Sequence, residues 1–113
     1  MTIEEYFSTG PPFERPVYDA VIEFLETLGP MHVEPVSVGI FLKRSRMFAE
    51  LRPKQRWVAL SLRVYGPLHD PRVSSRTAAG AGVTWCSIRL AGPDDVDDAV
   101  KGWLTEAYNN TEP

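Results

Sequence analysis

The side chains with the most reactive chemistry in this 113-residue sequence are one cysteine and two histidines. Cys86 is a candidate nucleophile, but a reactive thiol requires an exposed, electropositive setting. The alternation of its strand points Cys86 to the apolar side, where a thiol is a small inert group. His32 and His69 are far apart and lack neighbouring ligands, so the spacing of a metal site is missing. The sequence therefore predicts no catalytic residue, no metal and no other cofactor.

Two further motifs are better explained by local structure than by ligand binding. Asp94, Asp95, Asp97 and Asp98 could attract a cation, but acids in the first turn of a helix favour its dipole. The Ala-Gly-Ala-Gly stretch at 79–82 leads into a strand and lacks the Gly-Lys-Ser ending of a phosphate-binding loop.

Charge is distributed unevenly along the chain. Ten of the twelve Lys and Arg residues lie between Lys43 and Arg89, where Glu50 and Asp70 are the only acids, which gives this span a net charge of +8. Residues 1–42 carry −6 and residues 90–113 carry −5. A basic segment of this kind either forms a face for an anion or pairs internally with acidic helices.

The periodicity of apolar residues predicts which elements position these charges. Thr2 and Glu5 have the spacing of a capping box, which predicts a short helix over 3–7. Apolar residues recur at three and four positions over 13–28 and again after Pro93, which indicates two amphipathic helices. A period of two predicts strands over 38–43, 47–52, 58–64 and 83–90, with a long loop at 66–82.

The predicted fold is an α+β single domain over residues 1–113. It consists of a four-stranded antiparallel sheet, a β-meander plus one strand, with the N- and C-terminal helices packed on one face. Phe24, Leu60, Leu62 and Trp103 are expected to share one core.

On the sheet face away from the helices, strand alternation collects aromatic and basic side chains. The predicted binding residues lie on this face or in the two hairpin turns beside it: Lys43, Arg44, Arg46, Phe48, Arg52, Lys54, Arg56, Trp57, Arg63, Trp85 and Arg89. The two turns lie about 20 Å apart at 3.4 Å per residue, so they cannot grip one small phosphate together.

Two functions fit such a face. Trp, Phe and Arg are enriched in interface cores, which favours association with a protein partner, most simply as a homodimer. The alternative is single-stranded nucleic acid or another anionic ligand, because bases stack on aromatic rings while Arg and Lys neutralise phosphate.

The sequence favours a cytoplasmic protein with no membrane partner. Its longest uncharged run, residues 77–88, is too short to span a bilayer, and the first residues are acidic rather than basic.

Several segments resemble a bacterial family called "domain of unknown function 5655". These are residues 2–7, Leu28-Gly29-Pro30, the basic run 43–53, Asp70-Pro71-Arg72 and residues 103–108. The resemblance covers nearly the whole chain and implies a small cytoplasmic domain, standalone or appended to larger proteins, with no established activity, cofactor or catalytic residue.

Overall fold

The alternation of apolar residues through the middle of the chain is realised as one antiparallel sheet. The computed structural model describes residues 1–113. The helices are α1 (Ile3–Phe7), α2 (Glu14–Glu26) and α3 (Asp98–Asn109), with a 3₁₀ turn at Pro93–Asp95. The strands are β1 (His32–Val36), β2 (Gly39–Lys43), β3 (Met47–Pro53), β4 (Val58–Tyr65), β5 (Val73–Gly80) and β6 (Val83–Leu90).

The sheet has six strands in the order β1-β2-β3-β4-β6-β5, and every neighbouring pair is antiparallel. The four predicted strands correspond to β2, β3, β4 and β6, so the α+β class and the antiparallel meander are confirmed. The strand count of four is wrong. The two edge strands, β1 and β5, were not expected, and β5 occupies half of the predicted loop at 66–82.

α1 and α2 begin within one residue of their predicted starts, whereas α3 begins at Asp98 and not at Pro93 as predicted, because Pro93–Asp95 forms a separate 3₁₀ turn. The Thr2 hydroxyl accepts a hydrogen bond from the Glu5 backbone at 3.1 Å, and the Glu5 carboxylate accepts one from the Thr2 backbone at 3.3 Å, which is the expected capping box. Before α3, the Asp97 carboxylate accepts a hydrogen bond from Val100 N at 3.0 Å and caps the helix. Local capping therefore accounts for Asp97. None of the helices has the length and hydropathy needed to cross a membrane.

A single core lies between the sheet and the pair α2 and α3. Leu60 and Leu62 are fully buried in it, while Phe24 and Trp103 are partly buried and pack against it, so the predicted cluster is confirmed. Cys86 is also fully buried on this side, as strand alternation predicts.

Tyr108 of α3 is hydrogen-bonded to the segment that follows α2. Its hydroxyl donates to the Pro30 carbonyl at 2.8 Å. Gly29 has φ of +147° there, and a Cβ at this position would stand 2.6 Å from the Tyr108 hydroxyl. A residue with a side chain would therefore be strained and would displace Tyr108.

Arg72 joins the β4–β5 connection to the start of α3. Its guanidinium pairs with Asp70 at 3.0 Å and with Asp97 at 3.1 Å, and it donates to the Asp95 carbonyl at 3.1 Å. The hydrogen bonds from Arg72 lower the pKa of Asp70, and the Val100 N–H, followed by Arg72, lowers the pKa of Asp97. Both carboxylates are thereby stabilised in their charged form.

Glu14 shows the opposite behaviour at the start of α2. Only 2% of the residue is exposed, and the Tyr6 hydroxyl donates a hydrogen bond to its Oε2. Burial raises the pKa of Glu14, and the hydrogen bond from Tyr6 offsets part of this effect. The charged form of this carboxylate is therefore disfavoured in the native state.

The pKa shifts of Glu14, Asp70 and Asp97 predict that the protein is most stable at mildly acidic pH. A raised native pKa at Glu14 makes folding more favourable as pH falls through that native pKa, because the native state takes up the proton before the unfolded state does. The lowered values at Asp70 and Asp97 contribute stability above the ordinary Asp range, and this stability is lost as pH falls through their native values. We expect urea midpoints to peak between the raised native pKa of Glu14 and the lowered native pKa values of Asp70 and Asp97. In Glu14→Gln the rise in midpoint on lowering the pH should disappear while the loss at acidic pH remains; an unchanged rise would contradict the assignment.

Candidate functional site

The sheet face opposite the helices, here called the open face, is set by alternation in β4 and β6. Val58, Leu60, Leu62 and Val64 point into the core, so Ala59, Ser61, Arg63 and Tyr65 point the other way. Cross-strand pairing then places Arg89 beside Ala59, Ser87 beside Ser61 and Trp85 beside Arg63.

A groove of about 340 Å³ runs across the middle of the open face. Its floor consists of small side chains, and the Ser61 and Ser87 hydroxyls are hydrogen-bonded at 2.8 Å. Larger side chains stand around this floor, so the centre of the sheet is lower than its rim. The lining residues are Glu50, Arg52, Lys54, Trp57, Ala59, Ser61, Ser74, Ser75 and Ser87.

Trp57 forms one wall of the groove, just before β4 begins. The Arg89 guanidinium carbon lies 5.8 Å from the centre of the Trp57 ring, within the range of a cation–π contact. Arg89 also donates to the Pro71 carbonyl at 3.3 Å. The two contacts hold a cation beside an aromatic wall, which is a suitable arrangement for a flat, negatively charged ligand.

At the other end of β4, Tyr65 is an exposed aromatic residue. It is 53% exposed and lies two positions beyond Arg63, whose cross-strand partner is the half-buried Trp85. Aromatic and basic side chains therefore occur together at both ends of the open face, about 20 Å apart by residue count from Trp57 to Arg63.

Most cations of this region lack an acidic partner. Arg52 pairs with Glu50 at 2.9 Å, and Lys43 pairs with Glu34 of β1. No carboxylate oxygen lies within 4.0 Å of the basic groups of the following residues: Arg46, Lys54, Arg56, Arg63 and Arg89. The alternative of general pairing between basic strands and acidic helices is therefore not what the structure shows.

Phe48 does not lie on the open face, contrary to the sequence prediction. Leu42 pairs with Ala49, but Lys43 pairs with Met47, so Phe48 is an extra residue in β3. Such a bulge turns two successive side chains to the same side. Phe48 is fully buried and packs edge-to-face on Tyr108, with ring centres 5.6 Å apart.

Arg44 also differs from the prediction, because it points away from the open face and toward α3. Its Nη1 donates to the carbonyls of Tyr108 at 2.9 Å and Thr111 at 2.7 Å, and its guanidinium lies 4.0 Å from the Tyr108 ring centre. A cation at these carbonyls satisfies the C-terminal end of the helix. Arg44 therefore stabilises the C-terminal end of α3 and does not lie on the open face.

The other predicted residues occupy the open face or the turns beside it. Lys43 and Arg46 lie at the β2–β3 turn, and Lys54 and Arg56 lie at the β3–β4 turn, at opposite ends of β3 as expected. The remaining ones on the face are Arg52, Trp57, Arg63, Trp85 and Arg89.

The sequence did not indicate the serine floor of the groove or the place of Tyr65 on the open face. Ser61 and Ser87 alternate with core residues in their strands, a pattern that marks their face but not a groove. Ser74 and Ser75 lie in the unexpected strand β5, and Tyr65 lies one residue past the predicted end of β4.

Comparisons with curated proteins and with solved structures find no match. The family described as "Domain of unknown function (DUF5655)" matches residues 3–111, which is nearly the whole chain and includes, apart from Thr2, every segment that carries the resemblance. The chain belongs to the DUF5655 family.

Proposed function

We propose that this domain is a binding module whose open face takes an extended anionic ligand of the single-stranded nucleic acid class. The observation that carries the proposal is the set of unpaired cations on the open face and in the turns beside it, with aromatic side chains at both ends of the face and a groove at its middle. Arg63 and Arg89 lie on the face, while Lys54, Arg56 and Arg46 lie at its two ends. Phosphates spaced along a chain would meet these cations in turn, and Trp57 and Tyr65 offer rings for stacking.

The distance between the two aromatic and basic ends of the open face favours a long ligand over a short one. Trp57 and Arg63 are six residues apart, which corresponds to about 20 Å along a strand. A mononucleotide can reach only one of the two aromatic and basic groups, whereas a single strand can contact both. The groove floor of small hydroxyl side chains leaves space for the backbone between them.

A second candidate is association of two copies through the same face. The half-buried Trp57 and Trp85 are of a type enriched in interface cores. However, the centre of the face is made of Ala59, Ser61 and Ser87, whereas homodimer cores are more apolar than the remaining surface. This composition favours the anionic ligand.

A fluorescence titration with an oligothymidylate of about twelve nucleotides tests the proposal, a length within the range of single-strand binding sites. We expect quenching of tryptophan fluorescence in about 50 mM salt. If all five unpaired cations meet phosphates, affinity should fall about a hundredfold between 50 and 200 mM salt, from a slope of about −0.7 per contact. Thymidine monophosphate should bind far more weakly.

Charge-removing variants identify the surface. Arg63→Ala and Arg89→Ala should each weaken binding and reduce the salt slope by about 0.7. Arg15→Ala is the matched control, because it removes an equal charge from α2 on the other side of the sheet. Absence of quenching by the wild-type protein, or equal losses in all three variants, would refute the proposal. Sedimentation as a dimer that Trp57→Glu converts to a folded monomer would instead support the second candidate.

A further inference from the structure

A second cavity lies at the edge of the domain, away from the groove of the open face. It has a volume of about 300 Å³ and lies between α1, the α1–α2 loop and the turn between β1 and β2. Its walls combine acidic, hydroxyl and proline side chains with Met1 and Gly10, and no Lys or Arg lines it. The residues used below are Glu5, Tyr6, Pro11, Glu14, Ser37 and Pro53. We call this space the Glu14 cavity.

Glu14 is the unusual group of this cavity. It is 2% exposed, and its Oε2 is occupied by the hydrogen bond from the Tyr6 hydroxyl. Its Oε1 accepts no hydrogen bond from the protein and lies beside Gly10, where a Cβ would stand 3.8 Å away. No cation pairs with Glu14. Although the residue is buried, Oε1 itself is not a fully buried atom and is accessible from the cavity. A charged donor bound there would offset part of the cost of burying the carboxylate.

The chemistry of the free oxygen restricts the class of donor. A guanidinium prefers two parallel hydrogen bonds to both carboxylate oxygens, and Tyr6 already occupies one of them. A hard metal ion prefers six or more oxygen ligands, and the nearby Glu5 carboxylate is already bonded to the Thr2 backbone. An ammonium group needs only one strong acceptor, and its further N–H donors can bond to water or to hydroxyl groups, of which that of Ser37 lines the cavity.

We propose that the Glu14 cavity binds a primary ammonium group carried on a short alkyl stem, with Glu14 Oε1 as the acceptor. Pro11 and Pro53 provide apolar wall for the stem, as alkyl chains of Lys side chains find on protein surfaces. The volume is at the small end of ligand pockets, which suits an amine of a few carbons. A free alkylamine and a Lys side chain of a peptide both carry this group.

Titrations of the full chain followed by amide NMR test the proposal. We expect n-butylammonium chloride to shift the amide signals of Tyr6, Gly10 and Glu14 saturably, and n-butanol, its neutral counterpart, to leave them unchanged. Nα-acetyl-lysine amide forms a second arm. Binding by it alone would assign the cavity to a Lys side chain, and binding by both would include free amines.

Two variants separate the role of Glu14 from general charge effects. Glu14→Gln should weaken n-butylammonium at least tenfold, whereas Glu4→Gln, which removes an exposed carboxylate of α1 outside the cavity, should not change it. Tyr6→Phe should retain binding, since it frees Oε2 as well. Equal shifts with n-butanol, failure of both amines to saturate, or equal binding by Glu14→Gln would overturn the proposal. If Glu14→Gln does not fold, the comparison of amine with alcohol on the wild-type chain decides.

Discussion

Replacing Leu60 by Ala should lower the free energy of unfolding by about 2–5 kcal/mol. Leu60 is fully buried in β4, and its cross-strand partners Leu51 and Ile88 are fully buried as well. Truncation removes apolar contacts from the middle of the sheet and leaves a cavity that paired strands on both sides cannot close. Urea unfolding should show a lower midpoint with an unchanged slope.

Val38→Ala is the control for this prediction. Val38 lies in the turn between β1 and β2 and is 54% exposed, so its truncation should change stability by less than about 0.5 kcal/mol. A Leu60→Ala midpoint close to that of Val38→Ala would mean that β4 presents its other face to the helices. The open face would then be wrongly assigned as well.

The fold could be predicted where one side of an element is buried and the other is solvated. β4 and β6 have this property, and their predicted positions differ from the observed ones by at most one residue. β5 lacks it, because seven of its eight residues are exposed. Hydrogen bonds to β6 hold this strand at the edge, and a backbone ladder leaves no apolar pattern in the sequence. β1 is short and contains Pro35, a residue type that strands accept mainly at the edge of a sheet, so its sequence gives only a weak strand signal.

The candidate site was predictable to the extent that alternation is unbroken. Counting by two from Arg63 to Ala59, and from Trp85 to Arg89, gives the correct face. The same count fails at Phe48, because the bulge in β3 adds one residue and reverses the parity beyond it. Nothing local in the sequence marks that insertion.

The groove in the middle of the open face could not be predicted from the sequence either. The groove exists because Ser61 and Ser87 become neighbours through the pairing of β4 with β6, and because β5 brings Ser74 and Ser75 alongside them. The predicted loop at 66–82 separates these strands along the chain, so their contact is a property of the tertiary structure alone.

Arg44 and Arg46 should respond to substitution in opposite ways, although only one residue separates them. Arg44→Ala should lower the free energy of unfolding by about 3 kcal/mol, since it removes two hydrogen bonds from a charged donor at about 1.5 kcal/mol each. These bonds hold the carbonyls of Tyr108 and Thr111 at the end of α3. Arg44→Lys should recover only part of the loss, because one ammonium cannot reproduce both the planar stacking on Tyr108 and the two bonds.

Arg46→Ala should leave the urea midpoint nearly unchanged, because Arg46 is exposed and has no acidic partner. It should instead weaken oligothymidylate binding and reduce the salt slope by about 0.7, as expected for the loss of one phosphate contact. Arg44→Ala, measured where it remains folded, should keep the wild-type salt slope. If Arg44→Ala unfolds at the wild-type midpoint, the helix end is held by other contacts. If Arg46→Ala binds with the wild-type slope, the β2–β3 turn lies outside the binding surface, and the anionic ligand would have to be held by Arg63, Arg89 and the β3–β4 turn, because these carry the remaining unpaired cations.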